Sequence, residues 1–242
     1  KNSLKFLTEC ASNIRISSNI IAIGITGSAG KTSLKELLGQ SLGQIHKTAY
    51  SKNSYNNKYG VPYSLFNINK EDRFGVFELG MDRQGEIDYL SKIIKPNIGI
   101  ITNISYAHIK NFKNLSGIAK AKSEIIDNIL KNGSVVLNAD DKFYKYFKTK
   151  ALNRNLKVIS FSKKNQSDIK LEKIKRQKNI SIVKVNIKGT SRNFKIKRNL
   201  ESFPENILAS LAVISNFFDL NNISNKFFFN YNLPPGRGDY KI

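Results

Sequence analysis

The sequence predicts an α/β fold: a mostly parallel sheet flanked by helices, opened by a P-loop, with a strand-rich section in the C-terminal third. Three observations predict it. An apolar, β-branched run at residues 20–25 leads into glycine-rich sequence and then a helical pattern over 31–42. Further apolar runs alternate with helical patterns as far as residue 137. After about residue 155 the hydrophobic period becomes two. Alternating strands and helices build a parallel sheet, because each helix carries the chain back for the next parallel strand. Period two marks strands with one buried face.

Residues 4–13 read as a short helix leading in. Strands follow at 20–25, 74–79 and 98–102, the last just after Pro96. Between the second and third, residues 85–94 form a helix with acidic residues in its first turn, which suits the positive end of the helix dipole. A helix over 116–130 ends at Asn132-Gly133, a strand occupies 134–137, and residues 138–141 turn. The runs 157–162, 169–174, 180–187 and 191–196 alternate, with Gly189 at one turn, and predict a partly antiparallel section on the sheet's edge. A helix over 204–218 follows, and Pro234-Pro235-Gly236 reads as a linker.

The bulk numbers narrow the function classes. The chain has 242 residues, 40% of them hydrophobic, enough for a full core. No apolar run is long enough to span a bilayer. The single cysteine, Cys10, excludes an internal disulfide and suits a reducing cytosol, so we expect a cytoplasmic protein. The formal charge of +22 comes from lysines scattered among many Asn and Ile, and the densest basic stretch, 170–197, alternates like surface strands. We read it as a solvated basic surface, and expect no nucleic-acid partner, no membrane insertion and a monomer.

The sharpest chemical motif is Gly24-Ile25-Thr26-Gly27-Ser28-Ala29-Gly30-Lys31-Thr32-Ser33. Glycines let consecutive N–H groups converge on phosphate oxygens, and the following helix adds its dipole. Lys31 supplies charge to the β- and γ-phosphates, and Thr32 a hydroxyl for Mg²⁺. Residues 27–33 are therefore the candidate ATP site, although Ile25 stands where the strict pattern has glycine.

With this loop the chain resembles the Mur ligases, whose loop is of the Gly-Thr-(Thr/Ser)-x-Gly-Lys-Thr type; here Ser28 keeps the hydroxyl. The string Asn53-Ser54-Tyr55-Asn56-Asn57-Lys58-Tyr59-Gly60-Val61-Pro62 is similar to the signature of the branch that adds D-alanyl-D-alanine. The resemblance makes Asn53, Asn56 and Asn57 substrate-binding candidates, and amides that both donate and accept suit a peptide and sugar-phosphate ligand. Glu78, at the end of a predicted strand and followed by a stretch resembling the family's Gly-Glu-Ile element, is a candidate Mg²⁺ ligand. Thr102-Asn103-Ile104-Ser105-Tyr106-Ala107-His108 resembles an element whose histidine helps hold a second Mg²⁺. Ala121-Lys122-Ser123-Glu124 resembles one whose lysine is carbamylated into a metal ligand; on that match Lys122 is chosen over Lys120.

The resemblance thus implies Lys31, Glu78, His108 and Lys122 as catalytic residues, and Thr32, Glu78, His108 and Lys122 as ligands for two Mg²⁺. Asn206 is expected near the adenine, though the family's preceding Gly-His is missing and Ala209 replaces a second Asn. Arg237 is expected to meet the nucleotide. The implied cofactors are ATP and Mg²⁺. The implied partners are UDP-N-acetylmuramoyl-tripeptide and D-alanyl-D-alanine, joined through an acyl phosphate by an ATP-dependent carbon–nitrogen ligase.

On the same resemblance, residues 1–19 are expected to lead in from an N-terminal domain, 20–233 to form the central ATP-binding domain and 234–242 to lead to a C-terminal one. The 242-residue chain alone is expected to bind ATP·Mg²⁺ weakly and not to ligate. Three other readings stand beside this one. They are a folylpolyglutamate or cyanophycin synthetase, against which the Asn string argues; a P-loop NTPase of another class, in which a Walker B Asp is usual where this chain has Glu78; and a nucleotide-binding remnant.

Overall fold

A computed structural model describes residues 3–106 and 111–231. In chain order the regular elements are α1 (Ser3–Ser17), β1 (Ile21–Thr26), α2 (Lys31–Gly43), β2 (Thr48–Tyr50), α3 (Gly60–Leu65), β3 (Phe74–Glu78), α4 (Glu86–Ile94) and β4 (Ile98–Ile101). Then come α5 (Leu115–Lys122), α6 (Glu124–Asp127), β5 (Ser134–Asn138), α7 (Tyr144–Leu152), β6 (Lys157–Ser162), β7 (Ile169–Arg176), β8 (Ile180–Ile187), β9 (Thr190–Lys197) and α8 (Pro204–Ile214).

The nine strands form one sheet in the order β2-β3-β1-β4-β5-β6-β7-β8-β9. It is parallel from β2 to β7; β8 pairs antiparallel with both β7 and β9. This is the mixed sheet the change of period predicts. β1 lies centrally between β3 and β4, with Ile25 beside Glu78 and Thr26 beside Ile101. The chain first crosses to one side of β1 and later returns to the other, so the carboxyl end of β1 is a switch point, where open α/β sheets bind ligands.

Alternation along β1 explains the two cores. Ile23 and Ile25 face a layer with α2 and α8, while Ala22 faces one with α1 and α3 to α7. Burying each such isoleucine fully contributes about 1.5–3 kcal/mol. At one rim of the sheet β2 is only three residues long. At the other, the Lys195 N–H donates to Asn225 O at 2.6 Å, and the Arg192 guanidinium donates to Asn221 O and Ile223 O.

Some boundaries move. α1 runs four residues past the expected end. The expected helix over 116–130 is interrupted at Ser123, whose hydroxyl donates to Lys120 O at 2.7 Å, a local bond that competes with the helix ladder. α8 ends at Ile214, and turns tightened by Asn216 N–H to Val213 O and Phe217 N–H to Ile214 O replace its expected last turn. β2, α3 and α7 were not expected.

Candidate active site

The loop from β1 to α2 is held before any ligand arrives. Gly27 has φ 143°, and a Cβ there would stand 1.9 Å from Thr102 Oγ1, so a side chain cannot be accommodated. The segment after β4 grips the loop from beside it. Ser28 and Ala29 N–H groups donate to Asn103 O and Oδ1 at 2.9 and 3.0 Å, and the Thr102 hydroxyl donates to Ala29 O at 2.7 Å. The Ser105 N–H donates to the Ser28 hydroxyl at 2.9 Å.

The N-cap of α2 is Gly30, which brings no capping side chain, and Leu34 N–H makes an early helical bond to Gly30 O. The N–H groups of residues 31–33 precede that bond and have no acceptor within the helix. They fit an anion, as does the dipole behind them. Lys31 Nζ donates back to Gly27 O at 3.0 Å, which sets its ammonium over the loop.

Thr32, Glu78 and Asn56 come together at the ends of α2 and β3. The Thr32 hydroxyl donates to Glu78 Oε2 at 2.7 Å, and Asn56 Nδ2 donates to Oε1 at 2.8 Å. Glu78 is only 2% exposed. Its oxygens are held by a hydroxyl and an amide, neutral donors that do not cancel the buried charge, so the site suits a cation. Ser54 Oγ lies 3.4 Å from Thr32 Oγ1.

Lys122, at the end of α5, is 1% exposed. Burial pushes its pKa down to about 7, and the positive charge of Lys31 adds to the effect. Near neutral pH this amine is therefore partly unprotonated and nucleophilic. Two residues on, Glu124 accepts the N–H groups of Gly85 and Asp88 at 2.8 and 3.0 Å, closing the N-terminus of α4. Burial raises its pKa although both bonds favour the anion. Glu86 accepts the N–H groups of Asp82 and Arg83, fixing the loop between β3 and α4.

A cavity of about 930 Å³ opens beside Lys31, between α1, the Asn string and this loop. Asn56, Asn57, Tyr59, Met81 and Tyr89 are among its walls. Its size suits a small-molecule ligand. The three expected substrate-binding asparagines differ in what they do. Asn57 Oδ1 accepts the Tyr59 and Gly60 N–H groups at the start of α3, Asn56 holds Glu78, and Asn53 offers its carbonyl to Lys35.

Asn206 lies at the start of α8, with its Oδ1 3.4 Å from where a Gly30 Cβ would stand, which brings it beside the loop. His108 and Arg237 lie outside the described residues. Among the described residues no group of three His, Cys, Asp or Glu side chains stands together to hold a metal. Sequence reasoning missed Lys35 and Ser54 and the loop-gripping role of Thr102 and Asn103. Ser54 and Asn103 sit inside strings already singled out, and that position was the available signal.

Comparison with known proteins adds a second line. A family model described as the Mur ligase middle domain matches residues 25–214. A UDP-N-acetylmuramoyl-tripeptide–D-alanyl-D-alanine ligase of Buchnera aphidicola subsp. Baizongia pistaciae is 40% identical over 169 residues, covering 70% of this chain and 36% of that protein. The crystal structure of MurF from Acinetobacter baumannii superposes with a TM-score of 0.88 at 30% identity, covering 97% of this chain and 51% of that one. MurF ligase from Thermotoga maritima in complex with ADP shares the fold, with a TM-score of 0.88 at 24% identity over 98% of this chain and 54% of its own. The chain thus spans about half the length of these solved structures and little more than a third of the Buchnera relative. No helix among the described residues is long and apolar enough to cross a membrane.

Proposed function

The chain belongs to the Mur ligase middle-domain family, and from that premise we propose that it is the ATP-binding part of a ligase that joins D-alanyl-D-alanine to UDP-N-acetylmuramoyl-tripeptide. The observation that carries the reading is the buried Thr32–Glu78–Asn56 cluster beside a preset phosphate loop. The name of the Buchnera relative and the ADP held by the Thermotoga neighbour support the substrate and the nucleotide.

In this reading the N–H groups of residues 31–33 and the Lys31 ammonium bind the ATP phosphates. The substrate carboxylate enters from the cavity beside Lys31 and attacks the γ-phosphate; the γ-phosphorus–oxygen bond to ADP breaks, leaving an acyl phosphate. The amine of D-alanyl-D-alanine then attacks the acyl carbon, and phosphate leaves. Lys31 offsets the charge that gathers as the carboxylate and phosphate approach, which is most of the catalytic task in phosphoryl transfer. Bound Mg²⁺ supplies further charge neutralisation and orients the phosphate oxygens. Thr32 and Glu78 would hold one ion; Lys122 as a carbamate, with His108, would hold the second. Asn206 and Arg237 would contact the nucleotide, and the protein would work in the cytoplasm.

The test is phosphate release by this chain set within the remaining segments of the Buchnera relative, with each substrate omitted in turn. Release that needs both substrates and disappears in Lys31→Ala is the expected result. Release indifferent to both would reject the proposal.

A further inference from the structure

We propose that Lys35 is a positioning residue for Glu78, acting through residues 51–57; the inference rests on the reading of Glu78 as the magnesium-holding carboxylate. Lys35 stands one helical turn beyond Lys31 on α2, and its side chain is wholly buried. Taking an ammonium out of water costs several kcal/mol unless its donors are satisfied. It donates to Ser51 O at 2.5 Å and Asn53 O at 2.6 Å, and a Glu36 carboxylate oxygen pairs with its charge at 2.7 Å.

The two carbonyls flank Lys52, where the chain enters the turn that begins the Asn string, closed by Tyr55 N–H to Lys52 O. Asn53 itself has φ 46°, a left-handed conformation that a non-glycine residue rarely adopts. Immediately beyond it, Ser54 reaches the Thr32 hydroxyl. Asn56 then donates to Glu78 Oε1, and its backbone oxygen accepts the Gly80 N–H at 2.8 Å. A Cβ on Gly80 would stand 2.8 Å from the Asn56 side chain, so the two segments are pressed together here. The segment therefore ties α2 to the end of β3 on both sides of Glu78. Lys35 fastens it at the α2 end.

The test removes the donors with Lys35→Met and uses two readouts on the full chain. Without metal or nucleotide, exchange of the Gly80 amide hydrogen is expected to speed at least about tenfold, while the Gly85 amide, held by Glu124, keeps the parent rate. An unchanged Gly80 overturns the inference. In ATP binding, the magnesium concentration at half-saturation is expected to rise about tenfold, with affinity in EDTA within about twofold of the parent. Asn56→Ala is expected to act alike, and the double variant to be no worse than Asn56→Ala; additive losses overturn the inference. If Lys35→Met does not fold, Glu36→Gln, which weakens the third contact, should shift both readouts the same way to a smaller extent, and no shift is fatal to the inference. A parent that binds no ATP at any magnesium concentration defeats the proposed function instead, and the exchange experiment still decides the role of Lys35.

Discussion

The Thr32 hydroxyl donates to Glu78 Oε2 at 2.7 Å, joining the first turn of the helix behind the phosphate loop to the carboxyl end of the neighbouring strand. A P-loop threonine and a strand-end acid are 46 residues apart in the chain. The parallel pairing of β1 with β3 is what brings them together.

Glu78→Gln tests the charge with little change of shape. It keeps a partner for Thr32 and removes a buried anion, so the thermal midpoint is expected to hold or rise. Magnesium-dependent ATP affinity is expected to fall at least about tenfold, or roughly 1.4 kcal/mol. Calorimetric titration with and without EDTA separates the two effects. An affinity unchanged in magnesium removes Glu78 from the site.

Gly27→Ala tests the loop's conformation. The new methyl meets Thr102 Oγ1 at a distance no side chain occupies, in a backbone region alanine disfavours. A stability loss of roughly 1–3 kcal/mol is expected in urea denaturation. If Gly27→Ala/Thr102→Gly restores part of that loss, the clash is the cause.

Lys122 predicts a pH dependence of stability in metal-free, carbon-dioxide-free buffer. Its pKa is about 7 in the folded chain against an ordinary 10.5, so between those values the unfolded chain holds more protons. Stability therefore rises with pH across that window, by at most roughly 1.4 kcal/mol per unit, and the full penalty of burying the ammonium remains below it. Lys122→Met should be more stable than the parent below pH 7 and lose that advantage toward 10.5. Parallel stability curves for the two proteins would contradict this.

Glu124→Ala removes the acceptor for two N–H groups at the start of α4. A loss of about 0.5–2 kcal/mol is expected, as for other helix caps. Faster hydrogen exchange should appear at Gly85 and Asp88 and leave Gly80 unaffected. Exchange that changes equally at all three would mean that α4 and the Asn string move as one piece.

The central part of this architecture was legible because each signal was local. Residues 20–25 carry a buried strand's composition, residues 27–33 a phosphate loop's, and the period-two runs after 155 became β6 to β9 almost residue for residue. β2 and α3 were not legible. A three-residue strand has no period to detect, and Pro62 near the start of a six-residue helix looks like a breaker although a first turn tolerates it. Lys35 was hidden for another reason. On a helix, lysines four apart resemble a solvated face, and its acceptors are backbone carbonyls 16 and 18 residues away, which no side-chain motif announces. That Asn57 caps α3, with its Oδ1 accepting the Tyr59 and Gly60 N–H groups, was not legible either, because the same donor and acceptor pattern that suits a ligand also suits a helix start.

The two rims of the sheet bear on how this chain behaves among other molecules. Extended backbone at a sheet's margin is a template on which a foreign strand can grow, and large sheets are vulnerable to it. Here one margin is too short to template anything, and along the other the chain's own residues 221–225 take up Lys195 and Arg192. A protein with a charge of +22 also repels its own copies. Resistance to aggregation is thus built into the strand farthest from the chemistry, where substitutions can alter solubility without reaching the phosphate loop.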